Sequence, residues 1–281
     1  MVGMDDYFSN NALIPPGHPQ CRCVVDFVET PALVTPAPQP QPAQQPEPQK
    51  IPIASPTVND IIDTSIPKRV ETNTSRQLEA KGIEYRQVKD RTIELTEDEI
   101  IRQIAGGDQT RGSCASVALA YCGQKNGWDV LDFRDGESRE FFSYKLNKLN
   151  MFKELGVTII TEDSAKTNLT NAKKILKRLE EGKEYYLSVG RHAAIVRVVQ
   201  GGYPQYLELQ DGRMDWCGWC EFQDVEKTLK YRFGCSSSSK YYATAHATDI
   251  SQLNGDKFRT ILGYINTDPA KQKKGTNGSI K

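Results

Sequence analysis

The sequence predicts an α+β domain placed behind a disordered Pro/Gln-rich linker. Three observations carry this. Helical periodicity comes first in the C-terminal two thirds, and short strand-like runs come after it, which is the order of an α+β rather than an alternating α/β fold. The strand-like runs EYYLSV, HAAIVRVV and QYLELQ are rich in β-branched and aromatic residues and are separated by glycine-containing turns. Thirteen of the 15 prolines precede residue 68, and nine of those lie between Pro31 and Pro56, interleaved with glutamine. Such a segment cannot bury enough apolar surface to fold and is expected to be an extended spacer.

In chain order, residues 1–30 are too few for a domain of their own, 31–59 form the linker, 60–270 the folded domain and 271–281 a flexible basic tail. Thr96 and Glu99 fit a capping box that opens a helix through Ile104. A second helix is expected from Ser113 through SCASVALAYCGQKN to Gly127. Glu137–Leu149 and Asn171–Glu181 read as two further helices. The next two runs, HAAIVRVV and QYLELQ, are expected to form a hairpin across Gly-Gly-Tyr-Pro. KYYATAHATDI and KFRTILGYIN are two more strand candidates.

Composition excludes several functions. Lys+Arg and Asp+Glu balance at 36 each in 281 residues, so no general attraction to nucleic acid or an anionic membrane is expected. No run of apolar residues is long enough to span a bilayer, and MVGMDDYFSN does not read as a secretory signal. Seven cysteines at irregular spacing argue against a disulfide framework and for a reducing compartment. Only three histidines occur, His18, His192 and His246, so few residues can serve as a catalytic base.

In GDQTRGSCASVALAY, Cys114 sits where a helix begins. Unpaired N–H groups and the helix dipole favour a thiolate there, the reactive form of a nucleophilic cysteine. Gly112, Ser113, Ala115 and Ser116 are small enough to admit a substrate backbone. His192 opens the run HAAIVRVV and shares a strand face with Ala194, Val196 and Val198. Asp211 ends the neighbouring strand in QDG, where its carboxylate can orient the imidazole of His192. Gln109, five residues before Cys114, is placed to donate to a developing oxyanion beside the Cys114 backbone N–H. Read in isolation, each of these residues also has a structural role open to it: a buried thiol, a hydrogen-bonded strand histidine, a turn aspartate, a loop glutamine.

QTRGSCASVALAY resembles the nucleophile region of papain-like cysteine proteases, and GRHAAIV followed by YLELQD resembles their histidine and Asn/Asp strands. Through TLKYRFGC, roughly residues 100 to 236, the chain is similar to papain-fold toxin domains of polymorphic toxins and phage proteins. Two departures from papain stand out: the Gln-to-Cys spacing is one residue shorter, and the third residue is Asp211 rather than asparagine. The resemblance implies a papain-like hydrolase fold and a Cys114–His192–Asp211 triad that acts on proteins as peptidase or glutamine deamidase, without a cofactor.

The N-terminal PPGHPQCRCVVDF resembles the HPxCRC signature that ends phage head-morphogenesis (minor head) domains. That resemblance implies a phage-encoded effector or toxin, associated with the virion or acting in the bacterial cytoplasm. Capsid or portal components would be partners through the N-terminal tail, together with a protein substrate and an immunity protein. Alternatives are a peptidoglycan-cleaving Cys-His hydrolase and an inert virion binding module.

Two other clusters have metal-ligand character. His18, Cys21 and Cys23 have unusual spacing for zinc and lack a nearby fourth ligand. Cys217, Cys220, Cys235 and His246 form a C-x2-C…C…H set, and WCGWC also has redox C-x-x-C spacing without the expected strand–helix context. For both clusters the packing reading is preferred: a compact terminal hairpin for the first, cysteines against core or substrate-wall tryptophans for the second.

Overall fold

The structure, a computed structural model, describes residues 69–104, 113–131, 136–210, 217–238 and 244–267. The chain divides into two units, Met1–Asn59 and Asp60–Lys281, and all described residues lie in the second. His18, Cys21, Cys23 and the Pro/Gln segment therefore fall outside the described residues, as do Gln109 and Asp211.

Helices α1 (Asn73–Ala80), α2 (Glu97–Ile104), α3 (Cys114–Lys125), α4 (Glu137–Ser143), α5 (Lys145–Leu155) and α6 (Asn168–Leu176) precede most of the sheet. Two short strands, β1 (Lys89–Asp90) and β2 (Trp128–Asp129), pair with each other. The main sheet has six strands: β3 (Ile160–Glu162), β4 (Glu184–Val189), β5 (His192–Val199), β6 (Tyr203–Glu208), β7 (Gly218–Glu221) and β8 (Ala245–Asp249). Their order is β3-β8-β4-β5-β6-β7, and every pair is antiparallel. Helices α7 (Val225–Tyr231) and α8 (Asp256–Leu262) complete an α+β domain.

Strand alternation divides the core into two layers. On one face Tyr186, Ala193, Ile195, Leu207 and Leu209 pack against α2, α3, α4, α5 and α8. On the other, Tyr185, Leu187, Val189, Ala194, Val196, Val198 and Tyr206 pack against α6 and α7. Each fully buried large side chain contributes roughly 1.5–3 kcal/mol of burial free energy. Helix α3 is buried from Ala115 through Gln124, which explains its small residues and its lack of a polar face.

The expected capping box is present: Thr96 N donates to Glu99 Oε2 at 2.8 Å, and Glu99 N donates to Thr96 Oγ1 at 3.3 Å. The expected hairpin is present as β5–β6, but its turn is tighter than Gly-Gly-Tyr-Pro: Tyr203 and Pro204 belong to β6, opposite Val199 and Val198.

Three further expectations are corrected. Glu137–Leu149 is two helices, because Tyr144 is extended (φ −72°, ψ 124°). The break lets Phe141 and Phe142 on one side, and Met151 and Phe152 on the other, all reach one core. The helix expected at Asn171–Glu181 is α6 and begins earlier, at Asn168, because Thr167 Oγ1 caps it by accepting from Thr170 N. It also ends earlier, at Leu176. KFRTILGYIN is helix α8 in its first half, not a strand. Phe258, Ile261, Leu262 and Ile265 recur at helical spacing, and burial of that stripe overrides the β-branched propensity.

The β4–β5 turn depends on Gly190, whose φ is +54°. A Cβ there would overlap the carbonyl oxygen of Phe233, which also accepts the Arg191 N–H at 2.8 Å. Gly190→Ala is therefore expected to cost about 2–4 kcal/mol, from positive-φ strain plus the clash, as measured by urea unfolding. A cost below about 1 kcal/mol would mean that the turn relaxes without effort.

Candidate active site

Cys114 is the first residue of α3, half-buried, and packs against the core layer that contains that helix. Ser113 precedes it, fully buried. The early backbone N–H groups of α3 therefore lie where the sequence predicted the nucleophile.

His192 is the first residue of β5 and is half-buried. Its register partner is Val189, so its side chain starts on the face of Leu187 and Ala194, opposite to the layer of α3. The imidazole stands edge-on to Phe233, with ring centroids 5.2 Å apart. Cys114 and His192 thus belong to opposite layers of the sheet. Among the described residues no hydrogen bond joins the Cys114 sulfur to the imidazole.

The end of β6 closes this region. The β5–β6 pairing runs from Val199–Tyr203 to Val196–Tyr206, and Gln210, the residue before Asp211, lies two residues beyond the end of β6. The Gln210 side-chain amide donates to Ser113 Oγ. This contact ties the strand end to the start of α3. Asp211 and Gln109 lie outside the described residues, so their carboxylate and amide have no described geometry.

Two cations that the sequence reading did not single out flank the pair. Arg232 follows α7 and makes a two-pronged ion pair with Glu208, its Nη2 donating to Oε1 at 2.6 Å and its Nε to Oε2. The Glu208 side chain is only 5% exposed. Burial works against the Arg232 charge, but Glu208 outweighs it and the guanidinium stays firmly charged. Lys148, on α5, is 4% exposed, and burial pulls its ammonium down to about 8.

Both cations act on the two candidate residues. Burial first, then the charges of Arg232 and Lys148, hold His192 well below the ordinary histidine range. A negative charge on Cys114 would support the protonated forms of both Lys148 and Arg232. Burial and these charges therefore favour a neutral imidazole at His192. A neutral imidazole can accept a proton; an imidazolium cannot.

No family model, curated protein or solved structure matches the chain.

The Cys217, Cys220, Cys235 and His246 set does not come together. Cys217 packs with Trp219 against the α3 layer, while Cys220 packs against the α6–α7 layer. Three residues along a strand reverse the facing, so these two sulfurs point away from each other. Cys235 belongs to the α6–α7 layer, whereas His246 contacts Phe152 of α5 in the other. Among the described residues no group of three metal-ligating side chains forms. No helix there is long and apolar enough to cross a membrane.

Trp219 instead serves as a clamp. Its Nε1 donates to Glu97 Oε2 at 2.8 Å, and Arg197 lies 3.9 Å over its ring. Glu97 also accepts from Tyr121 at 2.9 Å. This joins α2, α3, β5 and β7 on the side of the sheet that carries the nucleophile helix.

Proposed function

We propose that the domain is a papain-like cysteine hydrolase acting on proteins, as peptidase or glutamine deamidase. The observation that carries this reading is Cys114 at the first position of a buried helix, with a histidine held neutral, His192, at the start of β5 and the charges of Lys148 and Arg232 acting on both. The Ser113–Gln210 contact supports it, because it brings the strand end that leads into Asp211 to the nucleophile helix.

In this reading His192, neutral at pH 7, takes the Cys114 proton. The thiolate attacks the carbonyl carbon of a peptide bond or a side-chain amide. The Cys114 N–H and Gln109 bind the oxyanion, and His192 returns the proton to the leaving amine. Water, activated by His192, hydrolyses the thioester and restores the thiol. Asp211 holds the imidazole tautomer. The resemblance of PPGHPQCRCVVDF to minor head proteins extends the proposal to a phage-encoded effector or toxin, carried with the virion or acting in the bacterial cytoplasm. A protein substrate, an immunity protein and capsid or portal components are the partners this reading implies.

A second reading, a catalytically inert binding module, is favoured by the missing hydrogen bond between Cys114 and His192. Catalytic contacts are often long in unliganded enzymes and tighten around substrate.

The deciding experiment is iodoacetamide labelling at Cys114, followed by mass spectrometry from pH 5 to 10, in wild type and His192→Ala. At pH 6 the hydrolase reading expects wild-type Cys114 to label on the order of 10- to 100-fold faster than N-acetylcysteine, with most of that advantage lost in His192→Ala. Labelling at the rate of the free thiol, unchanged by His192→Ala, would leave the inert module as the account.

A further inference from the structure

We propose that Gln210 is a positioning residue for Cys114: through Ser113 it fixes the first turn of α3 against the segment that holds His192. The proposal rests on the hydrolase reading for Cys114 as the nucleophile and His192 as its base, and adds a residue that neither the motif nor the triad contains.

The contact begins at Ser113, the N-cap of α3. Ser113 is fully buried, yet its side chain makes no capping hydrogen bond. Three other helices show the usual cap in this chain. Thr72, Thr167 and Asp224 are extended, at φ −134°, −127° and −128°. Each of their side chains accepts the N–H of the residue three further on, Ser75, Thr170 and Lys227. Ser113 is helical instead, at φ −75° and ψ −18°. A serine in that conformation does not aim its oxygen at the N–H groups of the first turn. The hydroxyl accepts from the Gln210 side-chain amide, 97 residues further along the chain. The helix that presents Cys114 thus starts on a tertiary contact where a local cap would otherwise stand.

Gln210 is itself held. Its backbone N–H donates to Glu208 Oε1 at 2.9 Å. The same carboxylate takes both prongs of Arg232, Nη2 at 2.6 Å and Nε. Glu208 ends β6, and its side chain is buried. A two-pronged, charge-assisted pair has little rotational freedom. Its bond to the Gln210 N–H therefore fixes the backbone from which the amide reaches Ser113.

At its other end this chain of bonds arrives at His192. Phe233 follows Arg232. The Phe233 carbonyl accepts the Arg191 N–H at 2.8 Å, and its ring stands edge-on to His192 at 5.2 Å. Two adjacent residues therefore serve both candidates. Phe233 holds the start of β5, and Arg232, through Glu208 and Gln210, holds the start of α3. Cys114 and His192 belong to opposite layers, so packing within either layer does not set one against the other. The Arg232–Glu208–Gln210–Ser113 relay does. A misplacement of about 1 Å is enough to remove much of a reaction rate.

The test is a double-mutant cycle read by iodoacetamide labelling of Cys114 at pH 7, with mass spectrometry of the Cys114 peptide. Gln210→Met keeps the length of the side chain and removes its donors. Ser113→Ala removes the acceptor. The two are made singly, together, and each in the His192→Ala background, with folding checked by circular dichroism. Each single variant should slow labelling about 10-fold, and the pair should slow it no further, because both remove one bond. In His192→Ala neither should change the rate, because no base is left to be aligned. A contact that only stabilises the fold changes labelling by the same factor with and without His192, and that outcome overturns the proposal. Labelling of Gln210→Met at the wild-type rate also overturns it. If His192→Ala still removes the reactivity in that case, the hydrolase reading survives. If Gln210→Met does not fold, Gln210→Asn, whose amide is too short to reach, takes its place. Wild-type Cys114 labelling no faster than N-acetylcysteine overturns both.

Discussion

Glu208→Ala is expected to destabilise the domain by about 2 kcal/mol, the cost of removing a buried acid and leaving Arg232, whose side chain is 27% exposed, without its partner. The Glu208 side chain is 5% exposed, and its two oxygens accept from Arg232 Nε and Nη2. Removing it leaves the guanidinium among Phe233, Tyr206 and the start of β5 without a compensating anion. The cost therefore exceeds that of a surface ion pair, which is worth roughly 0–1 kcal/mol. The loss should be read from the urea midpoint at constant slope. The double variant Glu208→Met with Arg232→Met is the control, since replacing both partners by apolar side chains is often near neutral. A single-variant cost below about 1 kcal/mol would show that solvent reaches Arg232 and screens it.

Acid is the second large effect. His246 is fully buried, and burial, with the charges of Lys148 and Lys145, holds it at about 3. In the unfolded chain a histidine titrates near ~6.5. Between these values the unfolded state binds the extra proton, so stability rises with pH. The contribution is complete above about 6.5 and is lost as pH falls toward about 3. At about 1.36 kcal/mol per pH unit, the step from pH 6.5 to 5 removes about 2 kcal/mol through His246 alone. His192 is displaced in the same direction, first by burial and then by the charges of Arg232 and Lys148. Urea melts at pH 7, 6 and 5 should show this loss, and His246→Leu should flatten the slope by roughly one proton's worth. An unchanged slope in that variant would assign the acid lability elsewhere.

Above neutrality the sign is worked in the same way for Lys145 and Lys148, both held at about 8 by burial. Each is protonated at pH 7 in the folded state at a cost. That cost is relieved as pH passes about 8, so stability should rise slightly between pH 8 and 9. From about pH 9 the buried thiols Cys122 and Cys235, which resist ionisation when folded, oppose this rise.

The helix starting at Cys114, the capping box at Thr96 and the β5–β6 hairpin were all legible in the sequence. Each is local: a cap, a period or a turn decides it within a few residues. The same locality misled at KFRTILGYIN, where strand propensity was outweighed by burial of a helical stripe. Lys148 had a signal that the reading passed over. It lies three and four residues before Met151 and Phe152, so a lysine stands on the apolar stripe of its helix. Arg232, between Leu229 and Phe233, had the same signal.

By itself the sequence determined the class of the domain, the helix that presents Cys114 and the strand that begins with His192. Only the tertiary structure decided that Cys217 and Cys220 face opposite layers, that Gln210 reaches Ser113, and that Lys148 and Arg232 flank the candidate pair. The reason is physical. Caps and periods are set by neighbours in the chain. A charge environment is a sum over groups brought together from distant positions, and burial sets how strongly each one acts.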